Sequence, residues 1–167
     1  MYRAFVRRRI RGVFLRQLSD GDYMAVVRST APRVEHHFPG EGALGGTRRS
    51  RETLVQWFER LFRLFPVLRF EVEDVVVTGW PWRTTVAVRW RDWGRAADGE
   101  PYENRGCELF EIRWGRATAI HQYLDTKSID DALVRMAAAG IQEAAAPQIL
   151  GPSPRPKTGL ASAAAPG

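Results

Sequence analysis

The chain has 167 residues, 44% of them hydrophobic and 26% charged, the ordinary balance of one folded domain. A single cysteine, Cys107, excludes an intramolecular disulfide framework and any multi-cysteine metal site. No apolar run approaches the ~20 residues of a membrane-spanning helix, and the content of six Trp and eight Phe excludes disorder over most of the length.

The net charge of +6 comes from 25 basic residues, of which only Lys127 and Lys157 are lysine. Surfaces that bind phosphate backbones mix lysine with arginine, so this lopsided usage predicts no specific nucleic-acid partner. Arg3, Arg7, Arg8, Arg9, Arg11 and Arg16 crowd the opening segment. They are read as the solvated face of a helix rather than a membrane-surface helix or a transit peptide, and a cytoplasmic location is expected.

In chain order, Phe5, Val6, Ile10, Val13, Phe14 and Leu18 recur at three- and four-residue steps and predict a first helix, broken at Ser19-Asp20-Gly21-Asp22. A short second helix follows through Tyr23, Met24 and Val27, with Asp22 as its cap. Pro32 stops helix propagation, and Arg33 to Phe38 reads as a short strand leading into the loop Pro39–Gly46. Ser50 opens the clearest helix, with a stripe of Leu54, Trp57, Phe58, Leu61, Phe62 and Phe65 ended by Pro66. Four strand-like runs follow, at residues 68–78, 82–93, 102–114 and 116–125, joined by turns too short for parallel crossovers. They predict an antiparallel meander, closed by a helix over residues 128–139. Residues 1–146 are expected to form the domain and residues 147–167, rich in Pro, Ala and Gly, a flexible tail.

The fold class is therefore α+β: three N-terminal helices embraced by a curved meander, with a pocket inside the resulting cone and a short C-terminal helix. Alternation sends Val86, Val88 and Trp90 inward on the second meander strand, and Tyr102, Asn104, Gly106, Glu108, Phe110 and Ile112 inward on the third. Glu108 stands out as a carboxyl on an apolar face, where lost hydration raises its pKa and lets it donate a proton near neutrality. Glu35, His36 and His37 precede Phe38-Pro39. A histidine beside a carboxylate is a common general base, and His37 oriented by Glu35 is the expected pair. Gln122 and Asn104 are expected to orient a ligand, with Trp57, Phe58, Trp90, Tyr102, Phe110 and Phe14 as apolar walls. His121 alternates to the opposite face. No metal site is expected, because the three His have no convergent third ligand.

Leu18-Ser19-Asp20-Gly21-Asp22-Tyr23, His37-Phe38-Pro39-Gly40, the run Asp98 to Gly106, and Gly115-Arg116 leading to Tyr123-Leu124-Asp125-Thr126 together resemble the SnoaL-like branch of the nuclear transport factor 2-like superfamily. That cone fold also carries ketosteroid isomerases and limonene epoxide hydrolases. The resemblance covers roughly residues 2 to 142. Where SnoaL-like cyclases place a His and an Asp, this chain has Glu108 and Gln122. Where the isomerases place a buried acid and a Tyr, it has Glu108 and Phe14. Where the epoxide hydrolases place an Asp and an Asn, it has Gln122 and His37. The resemblance implies a cofactor-independent isomerase or cyclase acting on an apolar carbonyl compound, polyketide- or steroid-like, and a homodimer through the outer sheet face. The alternatives are a non-catalytic ligand-binding or dimerisation module, or an epoxide hydrolase-like activity with an altered site.

Overall fold

The computed structural model describes residues 1–12 and 18–151. Helix α1 (Tyr2–Gly12) buries Val6 and holds its arginines in solvent. Residues 13–17 of its expected continuation, Phe14 among them, lie outside the described residues, and Leu18 beyond them is buried. Helix α2 (Met24–Ser29) has Tyr23 rather than the expected Asp22 at its N-cap; Asp22, one residue earlier, still accepts from the Ala25 amide at 3.3 Å. Strand β1 (Thr30–Phe38) begins three residues before the predicted strand and runs through Pro32. Its ladder is interrupted between Thr30 and Glu35, which is where a residue without an N–H can be carried.

Strand β2 (Gly46–Arg48) was not anticipated, since three residues are too few to show a period. Helix α3 (Arg51–Leu64) is capped by Ser50 Oγ, which accepts from the Thr53 amide at 3.2 Å. Its buried stripe of Leu54, Trp57, Phe58 and Leu61 is the predicted one. The meander follows as β3 (Val67–Trp80), β4 (Arg83–Arg95), β5 (Pro101–Arg113) and β6 (Arg116–Leu124), each pair antiparallel. Helix α4 (Thr126–Ala138), capped by Asp125 on the Lys127 amide at 3.0 Å, closes the domain.

All six strands form one sheet in the order β2-β1-β6-β5-β4-β3. Because β1 pairs in parallel with β6, the sheet is mixed rather than wholly antiparallel. Helix α3 lies on its inner face, with Trp57 against Phe38 at 5.3 Å and Phe65 against Tyr102 at 4.4 Å between ring centres. The outer face carries cross-strand ion pairs, among them Arg89–Glu73 at 2.9 Å and Arg91–Glu71. The segment expected to be flexible from residue 147 starts as a packed strap: the carbonyls of Pro147 and Ile149 accept from Arg60 and Arg48, and Gln148 donates to the Gly40 carbonyl. Residues 152–167 lie outside the described residues.

Candidate active site

Between α3 and the inner sheet face lies a cavity with about 50 Å³ of free space. Its walls are aromatic and aliphatic: Trp57 and Phe58 from the helix, Trp90, Tyr102 and Phe110 from the sheet. Gly106 makes room for the Trp90 indole, since a Cβ there would stand 2.8 Å from its Cζ2. The polar side chains among the apolar lining come from four strands: His36 on β1, Asp92 on β4, Glu108 on β5 and Gln122 on β6.

Glu108 is buried on β5 directly across from Gln122 on β6, whose Nε2 donates to Glu108 Oε1 at 2.8 Å. Burial pushes the Glu108 carboxyl up to about 7, against the smaller opposing effect of the Gln122 hydrogen bond. Among the described residues no guanidinium or ammonium pairs with it. With Oε1 engaged by the amide, Oε2 is the oxygen left to carry a proton.

His36, 1% exposed, enters the cavity from β1 with Val34 and Phe38 on the same face. Its partner is Arg48, opposite it on β2, whose Nη1 donates to His36 Nδ1 at 2.9 Å. A guanidinium can only donate, so Nδ1 is an acceptor and the ring proton sits on Nε2. Burial first, then the Arg48 charge, hold His36 well below its usual pKa and keep it neutral. Arg48 itself is fully buried, and among the described residues no carboxylate pairs with it. It is solvated by the carbonyls of Gly45 (2.7 Å), Gly46 (3.0 Å) and Ile149 (3.1 Å), and lies over the Trp57 ring at 5.3 Å. Burial pulls it down to about 9, still protonated at neutral pH.

Asp92 follows Val88 and Trp90 on the inner face of β4. Burial pushes its carboxyl up to about 7, and among the described residues neither its buried Oδ1 nor the neighbouring Trp90 Nε1 has a hydrogen-bond partner. Two unpaired groups on one cavity wall are anchors for a polar ligand atom. Beside them Tyr102 accepts from Asn104 Nδ2 at 3.0 Å, so its own hydroxyl proton remains a donor, and burial raises its pKa. Asn104 also binds the Asp125 carbonyl, the Asp125 amide and the Arg105 amide. Those bonds consume its amide, so it positions Tyr102 and does not line the cavity as the sequence had suggested.

The expected His37–Glu35 pair is not in the cavity. Both side chains leave β1 on the outer face, because Val34, His36 and Phe38 take the inner one. There Glu35 binds His121 Nε2 at 3.0 Å and Arg49 at 3.1 Å, and His37 Nδ1 meets Thr47 Oγ1 at 2.9 Å. His121 lies on that outer face, as alternation indicated. Trp57, Phe58, Trp90, Tyr102, Phe110, Glu108 and Gln122 do border one cavity, whereas Phe14 lies outside the described residues. The residues sequence reasoning missed are His36, Asp92 and Arg48. Parity with Val34 and Phe38 marks His36, and parity with Val88 and Trp90 marks Asp92. Nothing in the local sequence marks Arg48. Among the described residues no three His, Cys, Asp or Glu side chains gather as a metal-binding group, and no helix is long and apolar enough to cross a membrane.

Solved structures share this architecture. PrhC from Penicillium brasilianum NBRC 6234 superposes with a TM-score of 0.66 at 18% identity, over 78% of this chain and 87% of that one. A protein described as a SnoaL-like polyketide cyclase, from Jannaschia sp. CCS1, gives 0.60 at 20% identity over 72% and 85%. TerC, co-crystallised with polyporic acid, gives 0.56 at 18% identity over 70% and 88%. No protein with a curated description matches the sequence. The profile of the SnoaL-like domain matches residues 12–120, well over half the chain, and the protein belongs to that family, whose nuclear transport factor 2-like fold includes polyketide cyclases and isomerases.

Proposed function

We propose that the cavity performs cofactor-independent acid-base chemistry of the isomerase or cyclase kind on an apolar carbonyl compound, polyketide- or steroid-like in shape. The observation that carries this reading is Glu108, a carboxyl buried among aromatic walls and hydrogen-bonded to an amide instead of a cation. Near pH 7 a large share of molecules hold it protonated. In that form it donates a hydrogen bond to the substrate carbonyl and stabilises the negative charge that develops there as an enolate forms. Gln122 fixes the carboxyl's orientation, and the neutral His36 Nε2–H supplies a second donor.

A proton acceptor is needed as well, and Asp92 replaces the expected His37 in that role. Its open Oδ1 and its pKa near neutrality suit a general base. In register, Asp92 faces Asn104, four residues along β5 from Glu108, so the two backbones are ~13 Å apart. A substrate reaching both carboxyls is therefore an extended ring system. Such a ligand fills several hundred Å³, so the cavity walls must part to admit it. The co-crystal of TerC with polyporic acid supports a ligand of that kind on this fold. Gln122 holds Glu108 and cannot act as a base, which disfavours epoxide hydrolysis. A homodimer through the outer sheet face belongs to the same proposal, supported by exposed Val76, Trp93 and Tyr123.

Incubation in D₂O with a panel of planar hydroxyaryl ketones, followed by NMR, tests the reading. Deuterium incorporation or ring closure should fall by ~10²–10⁴ in Glu108→Gln and in Asp92→Asn, with binding largely kept. Binding without turnover, indifferent to both substitutions, would instead identify a ligand-binding module.

A further inference from the structure

The two turns at one end of the sheet carry three tryptophans that the cavity does not use. Trp80 and Trp82 flank Pro81 between β3 and β4, and Trp114 occupies the turn between β5 and β6. They are 60%, 54% and 75% exposed, although large aromatic rings are normally driven inward. The turns are fastened together by the Trp114 amide, which donates to the Pro81 carbonyl at 2.8 Å. Rings 80 and 82 stack at 5.8 Å, and rings 82 and 114 lie 6.5 Å apart.

Trp114 has a φ of 50°, the one non-glycine left-handed residue among those described, and Gly115 follows at 76°. That is the two-residue turn that ordinarily takes Asn-Gly, and a side chain as bulky as indole is strained in its first position. The strain gains little packing in return, because apart from the contact with Trp82 the ring stands in solvent. A strained residue held in the open is explained by what it presents outward.

The charge of the turns themselves is all of one sign, the first acidic residue along the flanking strands being Glu111 on β5. Arg83, Arg113 and Arg116 flank the turns, and α1 is tied to the same end by Tyr2 Oη–Thr84 Oγ1 at 2.7 Å, Thr84 in turn donating to the Trp80 carbonyl. Neither the turns nor α1 contains an acidic residue, and among the described residues none of these arginines enters an ion pair. Phe5 of α1 adds exposed apolar surface, beside a cleft that it shares with Arg9 and Ile112.

We propose that this end of the cone docks on an anionic lipid bilayer, with the three indoles at headgroup depth and the arginines on lipid phosphates. Indole is the side chain that settles at membrane–water interfaces, and surface arginines are attracted to an anionic leaflet. A nucleic acid fits less well, since bases need free aromatic faces and Trp80 and Trp82 cover one another's. Self-association across a two-fold axis would set like charges against each other.

The test uses the full chain with vesicles of phosphatidylcholine alone and of equal parts phosphatidylcholine and phosphatidylglycerol, read by co-sedimentation and by the tryptophan emission maximum. The proposal predicts binding and a blue shift with the anionic vesicles only, weakened by added salt. Trp114→Asn removes the indole and suits the left-handed turn, so its thermal midpoint should equal or exceed the parent's while vesicle binding falls about tenfold. Arg83→Glu with Arg116→Glu should abolish binding. Equal affinity for both vesicles, or none for either, overturns the proposal. So does Trp114-dependent binding of single-stranded DNA without vesicle binding, or a dimer that Trp114→Asn converts to monomer while vesicles are ignored.

Discussion

Strand β1 carries two adjacent histidines whose surroundings share almost nothing. His36 is sealed inside the cone, held neutral by burial and by an arginine hydrogen bond. His37 sits on the outer face beside Thr47, in a half-exposed network where Glu35 bridges His121 and Arg49. One step along a strand exchanges the low-dielectric side of a sheet for the wet one. Proximity in sequence to a carboxylate is therefore a poor guide to which histidine does chemistry, and the neighbours two residues away are the better one.

The contrast predicts unequal energetics, most strongly at the two arginines that serve the two faces. Arg48→Ala strips its donors from His36 and several interior carbonyls and should cost ~3–5 kcal/mol in urea unfolding. Arg49→Ala breaks a pair whose members are both more than a third exposed and should cost under ~1 kcal/mol. Equal losses would break the comparison.

The inner carboxyls sharpen it next. Glu108 keeps its proton in the folded state up to about pH 7, while the unfolded chain releases it near the ordinary glutamate value. The folded state then binds more protons than the unfolded one between ~4.5 and ~7, so stability is greatest below that window and falls as pH rises through it. The loss is roughly 3 kcal/mol for Glu108, and Asp92 contributes a similar one. Glu108→Gln should flatten about half of this fall and leave the variant more stable than the parent at pH 8, as denaturant titrations across pH will show.

The smallest effects separate the histidines themselves. His36→Ala leaves the Arg48 Nη1 donor buried and unpaired and should cost ~2 kcal/mol, against less than ~1 for His37→Ala. His36 has a second signature of opposite sign to the carboxyls. Its folded pKa lies below the unfolded value, so it subtracts stability as pH drops below ~6.5, and His36→Gln should soften the acid limb of the curve.

Much of this was legible in the sequence. Period alone placed α3 and the four meander strands, because long amphipathic runs bounded by Ser50, Pro66 and Gly115 leave little choice. The SnoaL-like motifs located the cone, and alternation put Glu108 and Gln122 on one wall. On β4 the inward parity of Val88 and Trp90 extends one step further, to Asp92. On β1 the apolar neighbours Val34 and Phe38 mark His36 as inward, whereas the adjacent Glu35 draws attention to His37. Arg48 was out of reach, since β2 is three residues long and its partners are backbone carbonyls and a histidine brought close only by tertiary structure.

The chemistry proposed for the cavity turns on the protonation of Glu108. Isotope-edited infrared or ¹³C NMR titration of the protein, assigned by comparison with Glu108→Gln, measures it directly. A side-chain carboxyl titrating near 7, and absent from the variant, is the predicted result. A fully ionised Glu108 with a midpoint near 4.5 would contradict the account and leave the cavity without its acid.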